Sequence, residues 1–169
     1  MCIIDISEII PQKTSRGDEV ISYVGKESIN ITYIRKRGKP IAVDINRYVQ
    51  RDTLLVGVAI WACEGTRRRL HELELSNSSE KLARLYMNLL TELGVNKYAR
   101  FRVQALKENV ELCEKFWEKT LNIEKAEKPI THIRQIRQNS NGVVNIRINS
   151  TILRELFFYW AQILPDLLQ

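Results

Sequence analysis

The sequence predicts an α+β fold: a small basic β meander over residues 1–50, then an α-β-α-β-α-β-β-α run over residues 51–169. Three observations predict it. Apolar and polar residues alternate at Ile29, Ile31 and Tyr33 and again at Ile41, Val43 and Ile45, the period-two signature of half-buried strands. Apolar residues recur at helical spacing within 54–64, 82–93, 109–121 and 151–168. The apolar run from Leu54 stops abruptly at Glu64, Gly65 and Thr66, where a helix hands over to other structure.

The first fifty residues hold a third strand from Glu19 to Val24, which turns through Gly25 and Lys26 into the strand at Ser28–Tyr33. The stretch Arg35 to Pro40 is a basic turn, with Gly38 and Pro40 as breakers, before the strand at Ile41. Residues 54–64 read as an apolar helix. Ala59 and Cys63 stand four apart and share a face that another backbone can approach closely, and Gly65 stops the helix from the first position past its end. Leu70 to Ser76 is a short strand. Asn77 is placed to cap the next helix, with Glu80 three residues on as in a capping box. Leu82, Leu85, Tyr86, Leu89, Leu90 and Leu93 keep that helix amphipathic until Gly94 ends it.

Tyr98 to Leu106 alternates as a strand, and Asn109 to Leu121 is helical, with Val110, Cys113, Phe116 and Trp117 on one stripe. Ile130–Gln138 and Val143–Asn149 read as strands around a hairpin-type turn, Asn139 to Gly142. Ser150 or Thr151 caps a last helix rich in Leu153, Leu156, Phe157, Trp160 and Leu164. No internal repeat is present.

The chain has 169 residues and a formal charge of +6. Its isoelectric point of about 9.3 favours a polyanionic partner. No secretory leader is legible, and no segment approaches the roughly 20 apolar residues of a membrane span. Cys2, Cys63 and Cys113 are odd in number and widely spaced. They read as reduced thiols packed as small apolar residues, not as a disulfide frame or zinc site. The expectation is a cytoplasmic (intracellular) protein that makes no use of a membrane. There is no P-loop, Rossmann glycine pattern, serine elbow or Asp…Glu-x-Lys nuclease pair, and His71 and His132 lack metal-ligand spacing.

The segment Gly57 to Gly65 resembles the nine-residue signature helix of the LAGLIDADG homing endonucleases. Aligned on the closing glycine, Ala59 falls at the family's first glycine, Cys63 at its second alanine and Glu64 at its metal-binding acid. Ala62 replaces the inner acid, and Trp61 is bulkier than the pattern. Ile45 to Gln50 is similar to family lead-ins, and Leu73 to Ser78 is similar to the stretch before the second helix in stand-alone members. The resemblance covers residues 45–169. It implies an αββαββα core with a truncated first hairpin and an inserted helix at Asn109–Leu121, in a single-motif chain that works as a homodimer.

The resemblance also implies a site. Glu64 is the expected catalytic and metal-ligating residue, one per protomer, holding Mg2+ or Mn2+ at the dimer axis. A carboxylate oxygen suits a hard divalent ion, and such an ion activates water for phosphodiester hydrolysis. Glu64 also sets its charge against the helix macrodipole, an unfavourable placement that a function would explain. The expected self-interface runs through residues 54–64, at Val56, Ala59, Ile60 and Cys63.

Double-stranded DNA is the expected partner. Arg100, Arg102 and Gln104 alternate with apolar residues, as do Asn145, Arg147 and Asn149, so each polar set shares one strand face. Arg, Asn and Gln are the side chains that read base edges bidentately. Arg67, Arg68 and Arg69 follow Glu64 and are placed for phosphates, as are Arg37 and Lys39 of the basic turn. Arg134 and Arg137 extend the set. Glu72 and Glu74 oppose it, unless they pair with Arg67 to Arg69. Two other readings stand beside the endonuclease: a non-catalytic DNA-binding or transcription-regulatory protein of the same fold, and an unrelated module whose apolar helices bind protein.

Overall fold

Strand alternation in the first fifty residues becomes a three-stranded antiparallel sheet. The computed structural model describes residues 2–34, 39–66, 71–123 and 141–167, and the backbone of 130–131. The chain begins with β1 (Ile3–Asp5) and a 3-10 turn, Ile6–Ile9, capped by the Asp5 side chain. Strands β2 (Glu19–Val24), β3 (Ser28–Ile34) and β4 (Ile41–Asn46) form the meander, in the order β2-β3-β4. Register pairs Ile31 with Val43 and Ile29 with Ile45, which puts the apolar set of both strands on one side. Then β5 (Tyr48–Gln50) returns to pair with β1.

Among the described residues, four helices and a second sheet follow. They are α1 (Arg51–Glu64), β6 (Leu73–Asn77), α2 (Glu80–Glu92), β7 (Arg100–Ala105), α3 (Val110–Leu121), β8 (Ile130–Thr131), β9 (Val143–Ile148) and α4 (Thr151–Leu167). The element order is the one read from the sequence, so the α+β class holds. None of the described helices is long and apolar enough to cross a membrane.

The second sheet runs β6-β9-β7-β8, antiparallel except for β8, which lies parallel to β7 at Gln104 and Ala105. This corrects the hairpin expected around 139–142. Both edges of β9 are taken, by β6 and β7, so Ile130 and Thr131 pair elsewhere; residues 132–140 lie outside the described residues. Other boundaries move inward. Strand β7 starts at Arg100, because Asn96–Tyr98 is a 3-10 turn. Ser79, not Asn77, caps α2: its Oγ accepts from the Leu82 amide, while Asn77 Oδ1 accepts from the Ser79 amide one step earlier.

One core joins the two sheets. Ile29, Ile31 and Ile45 of the meander belong to the same buried cluster as Leu73, Leu75, Val144, Ile146, Leu153 and Trp160. Helix α4 is the element between them, touching β3 and β4 on one side and α1 and β6 on the other. Its Trp160 Nε1 donates to the Ile9 carbonyl at 2.9 Å, and its buried Glu155 accepts from the Ser15 amide at 2.8 Å while pairing with Arg154. The N-terminal fifty residues are therefore fastened to the rest by apolar burial and by polar bonds that would be costly to leave unmade.

Candidate nucleic-acid interface

Helix α1 buries Leu54, Gly57, Val58, Ile60 and Trp61 against α2 and α4. At Gly57 a Cβ would stand 2.5–2.6 Å from Leu89 of α2, so glycine sets how closely those helices approach. Trp61 meets Phe157 of α4 edge-on, with ring centroids 5.7 Å apart. The Trp61 Nε1 and the Tyr86 hydroxyl are both buried without a hydrogen-bond partner among the described residues. Burial, reinforced by the charge of Glu74, pushes the Tyr86 phenol well above its ordinary range.

The opposite stripe of α1 carries Val56, 40% exposed, half-buried Ala59 and exposed Cys63. Ile60, expected at the self-interface, is instead 8% exposed and belongs to the core. It flanks the buried Gly57 on the helix surface, at the rim of the stripe that faces the other helices. The three thiols also divide: Cys113 is buried, but Cys2 and Cys63 are exposed rather than packed, and no disulfide joins the three.

Helix α1 ends where expected, for a different reason. Gly65 is extended (φ −71°, ψ 151°), not left-handed. A Cβ there would meet the Trp61 carbonyl and stand 2.5–2.6 Å from the Trp61 ring, so the glycine is required by close approach. The chain then runs straight into the sheet. Gly65 bridges Leu75, and the Thr66 amide donates to the Glu74 carbonyl at 3.0 Å. Glu64 is thus held at the sheet edge, exposed to solvent.

The polar residues of the second sheet do gather on one face. The pairings across β7, β9 and β6 form two rows: Arg100–Arg147–Glu74, and Arg102–Asn145–Ser76. The reverse face, with Phe101, Val103, Ile146, Ile148, Leu73 and Leu75, is buried. Arg100 is exposed, and Arg102, Gln104 and Arg147 are half-buried. Two arginines directly opposite one another repel; the Glu74 carboxylate stands across from Arg147 on the other side.

Asn145 departs from its expected role. It is 6% exposed, and its Nδ2 donates to Glu74 Oε1 and, at 2.7 Å, to Ser76 Oγ. A side chain so committed does not read bases. Glu74 itself is 7% exposed, and this asparagine meets it; the arginines expected to pair with it lie outside the described residues. Asn149 is exposed just beyond β9, and Lys39 is exposed ahead of β4. Arg37, Arg67, Arg68, Arg69, His132, Arg134 and Arg137 lie outside the described residues.

Among the described residues no group of three or more His, Cys, Asp or Glu is placed to hold a metal.

Compared with protein-family models, curated proteins and solved structures, the chain matches none.

Sequence reasoning missed a cleft of about 480 Å³ between β4 and the second sheet, lined by Ile41 to Asp44, Lys97 to Arg100, and Ile148 to Ser150 with Leu153. A neighbouring hollow shares Ile41, Asn149 and Ser150 and adds His71, whose Nδ1 lies 3.3 Å from Thr151 Oγ1. No local pattern signals it, because segments far apart in sequence build it.

Proposed function

We propose that this chain is a DNA-binding protein of LAGLIDADG type that acts as a homodimer and hydrolyses phosphodiester bonds. The observation that carries the reading is the basic face of the second sheet. Arg100, Arg102 and Gln104 stand in line on β7 with Arg147 beside them, while helices seal the reverse side. Such a face suits phosphates and base edges of a duplex.

Two further features support it. The order α1, β6, α2, β7, β9, α4 is compatible with αββαββα if the isolated Gly65–Leu75 bridge stands for the missing strand of the first hairpin and α3 and β8 are insertions. The stripe of exposed Val56 and Cys63 with half-buried Ala59 lies on the same helix as Glu64. A second copy seated there would bring two Glu64 carboxylates together. The role of Glu64 in this reading is to ligate Mg2+ or Mn2+, which supplies charge neutralisation and an activated water when bound. The second reading is a regulator of the same fold that binds DNA without cutting.

The test selects bound duplexes from a random library in calcium and transfers them to magnesium or manganese, for wild type and Glu64→Gln. A two-fold site cut by wild type and only bound by the variant supports the nuclease. A site bound by both and cut by neither supports the regulator. Arg102→Ala should weaken binding and reduce the dependence of log affinity on log salt by about 1 if it meets a phosphate. Absence of any enriched sequence, with binding lost at modest salt, overturns both readings.

A further inference from the structure

Among the described residues, strand β4 is an edge. The meander ends with it, and its side away from β3 borders the cleft. Hydrogen bonding at its end tells which backbone groups point that way. The Asn46 amide leaves β3 to donate to the Leu93 carbonyl at 3.0 Å, while the next amide, Arg47, turns back to the Glu27 carbonyl at 2.9 Å. The Ser28 carbonyl, opposite Asn46, accepts from Gly25 on the β2 side. Since a strand residue directs its N–H and C=O to the same side and the side alternates, Ala42 and Asp44 direct theirs into the cleft. Both residues are exposed.

The walls then specify an occupant. Ile41, Val43, Ile148 and Leu153 make an apolar floor. Across from β4 stand Lys97 and Arg100, both exposed, and Lys39 is exposed just ahead of the strand. The one carboxylate of the strand, Asp44, is occupied by the Asn30 amide at 2.8 Å. The first turn of α4 opens onto the same cleft at Ser150 and adds its positive end.

We propose that this cleft captures an extended acidic segment of a partner protein, which adds to β4 as a fourth antiparallel or parallel strand. Main-chain bonds to Ala42 and Asp44 supply affinity. Alternate apolar side chains of the segment cover the floor, and acidic ones meet Lys97 and Arg100. The site is independent of the DNA reading, apart from Arg100, which borders both.

The experiment titrates the whole chain with a fluorescein-labelled eight-residue peptide alternating valine and glutamate, against a valine–lysine peptide and a valine–glutamate peptide N-methylated at alternate residues. Saturable binding of the first alone is expected, with slowed hydrogen exchange at the Ala42 and Asp44 amides. Ala42→Pro removes an outward N–H, which an edge strand tolerates, and should weaken the peptide at least tenfold while leaving duplex binding unchanged. Lys97→Glu, at an exposed position, should weaken the peptide in the same direction. Equal binding of the N-methylated or lysine peptide, or no binding at all, overturns the proposal. So does protection of Ala42 and Asp44 that rises with protein concentration and without peptide, which would assign the edge to a second copy.

Discussion

The two sheets treat the same alternating pattern differently. In the meander, alternation converts directly into inside and outside: Ile29, Ile31 and Ile45 are buried, and Asp44 and Asn46 face solvent. In the second sheet the apolar set is also buried, but the polar set is not uniformly wet. Glu74 and Asn145 are nearly as hidden as the core, while Arg100 is exposed. Period two reports which side of a sheet a residue occupies. It does not report how far each residue on that side is exposed. Polar residues buried within such a face must satisfy one another, and here the asparagine, the carboxylate and a serine do so.

The largest test asks whether the sheets form one cooperative unit. Leu75→Ala and Ile31→Ala each delete a fully buried side chain and should cost about 2–5 kcal/mol. All three tryptophans, Trp61, Trp117 and Trp160, lie outside the meander. Urea unfolding followed by tryptophan fluorescence should therefore move for Ile31→Ala as it does for Leu75→Ala. A tryptophan transition that ignores Ile31→Ala would mean that the meander melts by itself.

Gly65→Ala probes the junction between α1 and the second sheet. The new methyl meets the Trp61 carbonyl and ring, so a loss of about 1–3 kcal/mol is expected in the same assay. A neutral result would show that Trp61 moves aside.

The polar contrast is sharpened by two carboxylates. Glu74→Ala strips Asn145 of a buried acceptor and should cost about 1–3 kcal/mol. Asp44→Ala breaks an exposed bond to Asn30 and should stay within about 0.5 kcal/mol. Equal losses would undo the distinction between buried and exposed polar positions.

A smaller effect belongs to Asp5, which ties β1 to the strand that follows the meander. Its hydrogen bonds from Arg47, at 2.5 and 2.8 Å, and then from Ser7 hold its carboxyl well below the usual carboxylate range. The folded state thus binds this proton less readily than the unfolded chain. Stability from the pair is complete above the unfolded value, about 3.9, and is lost as pH falls below it. Wild type should show a steeper drop in urea midpoint between about pH 5 and pH 2 than Asp5→Asn. Parallel curves would mean that the pair contributes nothing to folding.

Much of the fold was legible. Helix and strand order, the meander and the helix at Val110–Leu121 follow from periodicity, because burying one face of an element imposes its period on the sequence. The single polar face holding Arg100, Arg102 and Arg147 was legible for the same reason. Ile60 was misjudged because a wholly apolar helix has no polar side to mark its outward stripe. Asn145 was misjudged because the side chains that serve base reading serve buried networks equally well.

The sequence by itself determined where the chain alternates, in what order helices and strands follow, and that Glu64 ends α1 beside a glycine. Only the tertiary structure decided which side each element buries, why Gly65 must lack a side chain, and that β4 offers its edge to a basic cleft. Periodicity is local and is written in neighbouring residues. Close approach, coverage and clefts arise between segments far apart in the chain, where no local pattern records the partner.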